Sequence, residues 1–229
     1  DSDSKYVIDF KVGSNDNWGI DFRQLSNKVL IKVRSTLYSV DFEGKLTVLE
    51  AGGVISQQTW AATSNKVFYN RFIRFDFSIG EPTIALMVTD GTLEGTKEVS
   101  RSLFGGFSVQ ALKTDVIVTY TSAATPTRIF DAAIVNENAL TLRKVMAGGA
   151  RQIMEIFMVD DMAAFQLDNG RFFALNTRTA SITELPTLAY SDKAIVHEGE
   201  LYIIGQNCKR INLNTLETRL LLPQDNRYT

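Results

Sequence analysis

The stretch from Ile84 to Val99, IALMVTDGTLEGTKEV, shows how this chain is built. It reads as an apolar strand, a turn rich in Asp, Gly and Thr, and a second strand. Comparable phrases recur about every 40 to 50 residues, a spacing typical of repeat architectures made of small supersecondary units. The chain is therefore predicted to be a β-repeat protein.

Aligning these phrases gives five units of four strands each. Short apolar or alternating runs bounded by Gly, Asn, Asp and Thr dominate the sequence, whereas helical periodicity is nearly absent. This pattern predicts an all-β fold. The predicted units span residues 17–53, 54–106, 107–149, 150–187 and 188–223.

Turn signals recur in register within the units. An Asn or Asp follows the third strand of most units, where its side chain is expected to fold back on its own backbone. Three units close on a glycine pair, which allows a sharp passage at positive φ into the next unit. These pairs are Gly52-Gly53, Gly105-Gly106 and Gly148-Gly149. A polar turn precedes each second strand, at Ser26–Lys28, Ser64–Lys66, Lys113–Asp115, Asp160–Asp161 and Glu198–Glu200.

Repeated four-stranded units favour a β-propeller over a β-sandwich, because stacked blades bury faces that one small sheet cannot bury alone. We predict a single propeller domain over residues 1–229, with five four-stranded blades. Residues 5–13 resemble a fourth strand and are expected to form an additional edge or closing strand. The alternative is that they are the remnant of a preceding blade, in a fragment of a larger propeller.

The stretch ALMVTDGTLEGTKEV resembles the E-L-W-x-T-D-G-T-x-x-G-T phrase of hyalin-like repeats, which occur in secreted and surface bacterial propeller-type proteins. Ala85 and Met87 depart from the Glu and Trp of that phrase, and only the second unit carries it. The resemblance implies a propeller and an exported location, and it supplies no catalytic residues. The matching positions are Leu86, Thr89, Asp90, Gly91, Thr92, Gly95 and Thr96.

Composition narrows the classes of partner. The chain has 229 residues, 45% of them hydrophobic, and a net charge of −2, which gives no basic surplus for nucleic acid. No run reaches the length needed for a transmembrane helix. The acidic start without Met suggests a mature or trimmed chain, and we expect a secreted, periplasmic or cell-surface location.

The most unusual local sequence is YNRFIRFDF, from Tyr69 to Phe77. Its unit is longer than the others, so a hairpin extending from one blade is expected to bring aromatic and arginine side chains to the surface. Such side chains dominate protein interfaces, although ordinary packing between blades would also explain the phenylalanines. The candidate binding residues are Tyr69, Arg71, Phe72, Arg74 and Phe75, with Trp18 and Trp60 as further aromatic candidates.

Paired carboxylates at the propeller axis are the alternative, since glycan hydrolases use two acids beside the scissile bond. Trp18 and Trp60 would then serve as sugar platforms. The acids lie mainly at turns, however, where solvation alone explains them. The candidates are Asp16, Asp21, Glu155, Asp160, Asp161 and Glu198.

Metal and cofactor sites are not predicted. The Thr89–Thr92 turn is explained as a structural Asp-Gly turn, and calcium would need more carboxylates than Glu94 adds. His197 and Cys208 are the single His and the single Cys, too few for a soft-metal site. We therefore expect a non-enzymatic binding or scaffold propeller that recognises a protein or a glycan through loops on one face, with glycan hydrolysis as the alternative. Self-association through edge strands is a third possibility.

Overall fold

The computed structural model describes ten ranges of the chain, which contain twenty β-strands. They are residues 20–54, 60–77, 81–102, 107–112, 114–123, 129–146, 153–167, 170–186, 193–205 and 208–221.

The strands form five separate four-stranded antiparallel sheets, each a simple up-and-down meander. The first sheet contains β1 (Asp21–Leu25), β2 (Lys28–Val33), β3 (Thr36–Asp41) and β4 (Leu46–Glu50). The second contains β5 (Trp60–Ala62), β6 (Val67–Asp76), β7 (Glu81–Thr89) and β8 (Lys97–Ser102). The third contains β9 (Ser108–Ala111), β10 (Asp115–Ala123), β11 (Ile129–Asn136) and β12 (Leu142–Met146).

The last two sheets repeat the same plan with shorter strands. The fourth contains β13 (Ile153–Val159), β14 (Met162–Leu167), β15 (Phe172–Asn176) and β16 (Ile182–Leu185). The fifth contains β17 (Lys193–His197), β18 (Glu200–Ile204), β19 (Lys209–Ile211) and β20 (Thr218–Leu220). The prediction of an all-β chain with five four-stranded blades is confirmed.

The two central strands of each inner sheet contain continuous apolar runs because both of their faces are covered there. In β14 (MAAFQL) and β15 (FFALN), the first four side chains of each strand are all buried. Strands with only one covered face would alternate between apolar and polar residues instead. Continuous apolar runs in this sequence therefore mark the sheets packed between two neighbours.

Four apolar clusters join each sheet to the next along the chain. Leu30 and Tyr69 belong to the cluster between the first and second sheets, and Phe68 and Val118 to the cluster between the second and third. The remaining two clusters lie between the third and fourth sheets and between the fourth and fifth. Burial of these side chains drives the stacking of the blades.

The first and fifth sheets keep apolar side chains exposed. Among the described residues, no such cluster joins the fifth sheet to the first. The exposed apolar side chains of these two sheets include Phe22, Leu46, Val48, Ile195 and Ile204.

The predicted fold-back of Asn or Asp after the third strand is confirmed in the first, second, fourth and fifth sheets, and the third sheet has the same bond. In each case Oδ1 accepts a hydrogen bond from the backbone N–H two residues later. This bond stabilises the turn locally, so the turn needs no partner from elsewhere in the chain. The five residues are Asp41, Asp90, Asn136, Asn176 and Asn212.

Polar contacts tie the turns of successive sheets together at one end of the stack. Lys28 Nζ, at the start of β2, donates to the carbonyl oxygen of Gly91 at 3.1 Å in the β7–β8 turn. Thr63 and Asn65, before β6, donate to the carboxylate of Glu137 in the β11–β12 turn. The first turn of one sheet thus contacts the last turn of the next.

Some of the predicted glycine pairs and the predicted edge strand lie outside the described residues, so only part of these predictions can be compared with the structure. Gly52 and Gly53 have the positive φ values expected, 89° and 88°. The glycine pairs at 105–106 and 148–149 and the segment at 5–13 lie outside the described residues. None of the described residues forms a helix long and apolar enough to cross a membrane.

Candidate functional site

The β6–β7 hairpin is longer than its neighbours in the sheet, as its sequence predicted. Within the described residues, β5 pairs with β6 as far as Trp60 opposite Tyr69, and β8 pairs with β7 as far as Ser102 opposite Ile84, while an isolated bridge pairs Val54 with Arg71. Beyond these points β6 and β7 continue to pair with each other as far as Asp76 opposite Glu81. The Phe72 N–H donates to the Gly53 carbonyl oxygen, and beyond this point β6 pairs with β7 alone among the described residues, as a two-stranded ribbon.

A β-bulge at Ile73 decides which side chains share a face of this ribbon. Phe72 pairs with Ile84 and Phe75 pairs with Pro82, so two residues separate the phenylalanines on β6 but only one separates their partners on β7. Paired residues lie on the same face of an antiparallel sheet, and alternate residues of a strand share a face. The extra residue thus brings Phe72 and Phe75 onto one face.

Three exposed phenylalanines gather on this ribbon. Phe72 and Phe75 are each 42% exposed and Phe77 is 88% exposed. The rings of Phe75 and Phe77 meet edge to face with their centroids 5.0 Å apart. An exposed cluster of large aromatic side chains is unusual on a protein surface and commonly marks a site of interaction. We call Phe72, Phe75 and Phe77 the aromatic tip.

Two of the predicted arginines have different surroundings. Arg74 is exposed and pairs with Thr83, on the face of the ribbon opposite Phe72 and Phe75. Arg71 is half-buried, where it forms ion pairs with Glu50 at 3.1 Å and with Glu98 at 3.5 Å. These ion pairs hold Arg71 between the first and second sheets, so Arg74 is the arginine of the two that remains accessible.

Two predicted binding residues lie in the core instead of on the surface. Tyr69 is fully buried, and its hydroxyl has no hydrogen-bond partner within the described part of the chain. Burial, reinforced by nearby Glu50 and opposed by Arg71, raises the pKa of Tyr69 well above its ordinary value. Trp60 is 6% exposed and packs in the same cluster as Tyr69. Both residues stabilise the interface between sheets, which corrects their expected place on the surface.

Trp60 is instead part of a polar tie to β1. Its Nε1 donates to Asp21 Oδ2 at 2.7 Å, while Asp21 Oδ1 accepts from Arg23 at 2.9 Å. The Arg23 guanidinium also lies over the Trp60 ring, 4.8 Å from its centroid. One predicted acid and one predicted sugar platform therefore hold the first two sheets together. Trp18 and Asp16 lie outside the described residues.

The other candidate acids are spread over different turns and strands. Asp161 pairs with Arg178, Glu198 is exposed at a turn, and Glu155 is exposed on β13. Three described carboxyl groups have pKa values held below their ordinary range, those of Asp90, Glu98 and Glu184. A general acid for glycan cleavage needs the opposite shift.

The Thr89–Thr96 turn forms a closed hydrogen-bond network of its own. Thr92 donates to Asp90 Oδ1 through both its N–H, at 2.9 Å, and its hydroxyl, at 2.6 Å. The hydroxyls of Thr89 and Thr96 are 2.7 Å apart, and the Gly95 N–H donates to Thr92 Oγ1. These bonds assign structural roles to the Thr and Asp residues of the motif. Within the described chain, no group of three or more His, Cys, Asp or Glu residues is placed to hold a metal ion.

Comparisons with known proteins define the fold. No protein-family model matches the sequence, and no curated protein sequence matches it. Solved structures do resemble it. An oligogalacturonate lyase in complex with manganese has 13% identity and a TM-score of 0.53, over 89% of this chain and 64% of the lyase. The oligogalacturonate lyase of Vibrio parahaemolyticus has 12% identity and a TM-score of 0.51, with the same coverage.

A third neighbour comes from a different class of enzyme. A prolyl endopeptidase structure has 10% identity and a TM-score of 0.57, over 90% of this chain and 36% of the peptidase. The chain is therefore a β-propeller protein by fold. It spans under two thirds of the length of each of these three neighbours.

Proposed function

We propose that this chain is a non-enzymatic binding propeller that holds a protein partner through the aromatic tip of the β6–β7 hairpin. The observation that carries the proposal is the exposure of Phe72, Phe75 and Phe77 together on a ribbon that projects beyond its sheet. Binding surfaces on rigid scaffolds are commonly placed on such projecting segments.

The chemistry of the tip favours a protein over a glycan. The three rings offer apolar area on one face of the ribbon, and Arg74 is exposed on its other face. Aromatic residues and arginine are the residue types most enriched at the centres of protein interfaces. The matching partner is a protein segment that presents apolar side chains to the aromatic tip.

The bulge adds a second argument for a dedicated surface. In a regular strand without a bulge, Phe72 and Phe75 are three residues apart and would lie on opposite faces of the ribbon. Bulges often redirect side chains near functional sites. An arrangement that gathers apolar rings in water costs solubility, and a partner that covers them would offset that cost.

The proposal is tested with a double variant, Phe75→Ser with Phe77→Ser, beside a matched control, Phe42→Ser. Phe42 is also exposed, at 62%, but lies in the β3–β4 turn away from the tip. Each protein is immobilised and exposed to an extract of the producing organism, and retained proteins are identified by mass spectrometry. We expect a protein that the wild type and the control retain and the double variant loses.

Other outcomes would replace the proposal. An identical set of retained proteins for the wild type, the double variant and the control would show that the aromatic tip does not bind. Selective loss of binding on a glycan array by the double variant would assign a glycan partner. Concentration-dependent association of the wild type alone, measured by light scattering, would assign a second copy of the chain. Export from the cytosol stays a prediction from the sequence.

A further inference from the structure

The contact between the third and fourth sheets differs from the two before it. The turns before the second strands of the first three sheets read SNK, SNK and KTD. Their third residues are Lys28, Lys66 and Asp115, respectively. Lys28 and Lys66 each donate across the interface to a carbonyl oxygen of the next sheet. Asp115 accepts instead from Asn136 of its own sheet, at 2.9 Å, so the lysine contact has no counterpart here.

A cleft of about 400 Å³ lies at this position. Its walls combine guanidinium groups from both sheets with oxygen and amide groups, and its size is within the range of small-molecule sites. The lining residues are Asp115, Ile134, Asn136, Thr141, Arg143, Thr177 and Arg178.

The guanidinium of Arg143 is held weakly. Its one hydrogen bond within the described chain is to the carbonyl oxygen of Thr177, at 3.4 Å, near the limit for such a bond. Arg178, by contrast, is engaged by Asp161 of its own sheet. Arg143 therefore keeps most of its donors available to a ligand in the cleft, in the forked arrangement that matches a carboxylate.

The third sheet also brings groups suited to hydroxyls to the lining of the cleft. Both hydrogen bonds that Asp115 accepts from described residues end on Oδ1, which leaves Oδ2 as an acceptor. Thr141 adds a hydroxyl beside it. We propose that this cleft binds a small carboxylic acid that also carries hydroxyl groups, with its carboxylate on Arg143 and a hydroxyl on Asp115. This site is separate from the aromatic tip and stands independently of the proposed function.

The test measures binding by isothermal titration calorimetry with four probes. Glucuronate and gluconate carry both a carboxylate and hydroxyls, the first in a ring and the second in an open chain. Glucose lacks the carboxylate and acetate lacks the hydroxyls. We expect the two hydroxy acids to bind and the two partial probes to bind at least about tenfold more weakly, because each loses a charged hydrogen bond to the cleft.

Variants locate the site. Arg143→Gln is expected to weaken binding of the hydroxy acids by about tenfold or more, while Arg219→Gln, an exposed arginine on β20, leaves it unchanged. Circular dichroism establishes that both variants fold. A preference for glucuronate over gluconate would show that the cleft binds acids in a sugar ring. The reverse preference would show that it binds open-chain acids. No binding by either hydroxy acid, equal binding of glucose or acetate, or unchanged binding in Arg143→Gln would overturn the proposal.

Discussion

Glu137 is a buried carboxylate that joins two blades. It is 5% exposed, and it accepts hydrogen bonds from Thr63 at 2.5 Å and from Asn65 at 3.2 Å of the preceding sheet. A buried charge of this kind is tolerated because donors from the neighbouring sheet surround it. Single residues at these turns thus hold the stack together as the apolar clusters do.

Replacing Glu137 by alanine is expected to lower the free energy of unfolding by about 2 kcal/mol, because Thr63 and Asn65 lose their acceptor. The measurement is urea denaturation followed by tryptophan fluorescence. Glu43→Ala is the matched control, since Glu43 lies exposed in the equivalent turn of the first sheet and should change stability little. Equal effects of the two substitutions would contradict a role for Glu137 in joining the sheets.

Asp90 makes the stability of the protein depend on pH. Burial raises the pKa of this carboxyl, but hydrogen bonds from Thr92 and the charge of Lys28 outweigh burial, so the pKa lies below its ordinary value. The unfolded state then binds more protons than the folded state as the pH falls. The stabilisation is present above about pH 4 and is lost as the pH falls through the folded pKa.

In the variant Asp90→Asn this part of the pH dependence should disappear. We expect the stability difference between the wild type and the variant to be largest near neutral pH and to shrink towards pH 3. Urea denaturation at a series of pH values measures it. Glu94→Gln, an exposed change in the same turn, should keep the slope of the wild type, and a constant difference for Asp90→Asn at every pH would argue against the linkage.

At the scale of elements, the β7–β8 turn has to fit against the first sheet. Gly91 has φ of +84°, and an added Cβ would lie 2.8 Å from Lys28 Cδ and 3.2 Å from Ser39 Oγ. Glycine is therefore required there both by the backbone and by the neighbouring sheet. Because Gly91 has no side chain, the first and second blades can approach closely at this turn.

Gly91→Ala and Gly52→Ala separate these two requirements. Gly52 has a similar φ of +89°, with no atom within 4 Å of an added Cβ. Gly52→Ala should cost about 1 kcal/mol for the left-handed backbone alone, and Gly91→Ala about 2 kcal/mol or more, because it also displaces Lys28. Thermal or urea denaturation of both variants measures the difference. Equal losses would mean that the interface adjusts around the new methyl group.

At the scale of the whole molecule, the stacking of sheets sets a gradient of stability. Among the described residues, the second, third and fourth sheets contribute to clusters on both of their faces, whereas the first and the fifth contribute to one each. Strands of the fifth sheet are correspondingly more exposed, with β20 exposed throughout. Local opening should therefore be easier in the fifth sheet.

Hydrogen exchange followed by mass spectrometry tests this gradient. After correction for intrinsic rates, amides of β17 to β20 should exchange at least about tenfold faster than those of β10, β11, β14 and β15. The comparison is internal, since all strands report from one sample. Uniform protection across the sheets would indicate that the fifth sheet is stabilised as fully as the inner ones.

Much of this architecture can be predicted from the sequence because it depends on local chemistry. Strand and turn residues alternate in the chain itself, and each observed sheet lies within one predicted unit. The turn residues Asn176 and Asn212 bond to their own backbone, so their role does not depend on the rest of the fold. Four strands per unit and five units follow from such short-range signals.

The functional surfaces depend on packing between residues distant in the chain. The sequence alone suggested Tyr69 and Trp60 for binding, yet both are buried between two sheets, because neighbouring sheets cover that face of the second blade. Phe77 contacts Phe75 two residues earlier, and the bulge at Ile73 is what brings Phe72 onto the face of Phe75.

The sequence by itself determined the β-repeat and the turns, since these arise from backbone preferences and from side chains close in the chain. Only the tertiary structure decided which aromatic residues stay in water and which residues line the cleft beside Arg143. The physical reason is that burial and cleft shape are properties of two surfaces in contact. A strand has the same sequence whether its face is covered or exposed to solvent, and the neighbouring sheet decides whether that face is covered.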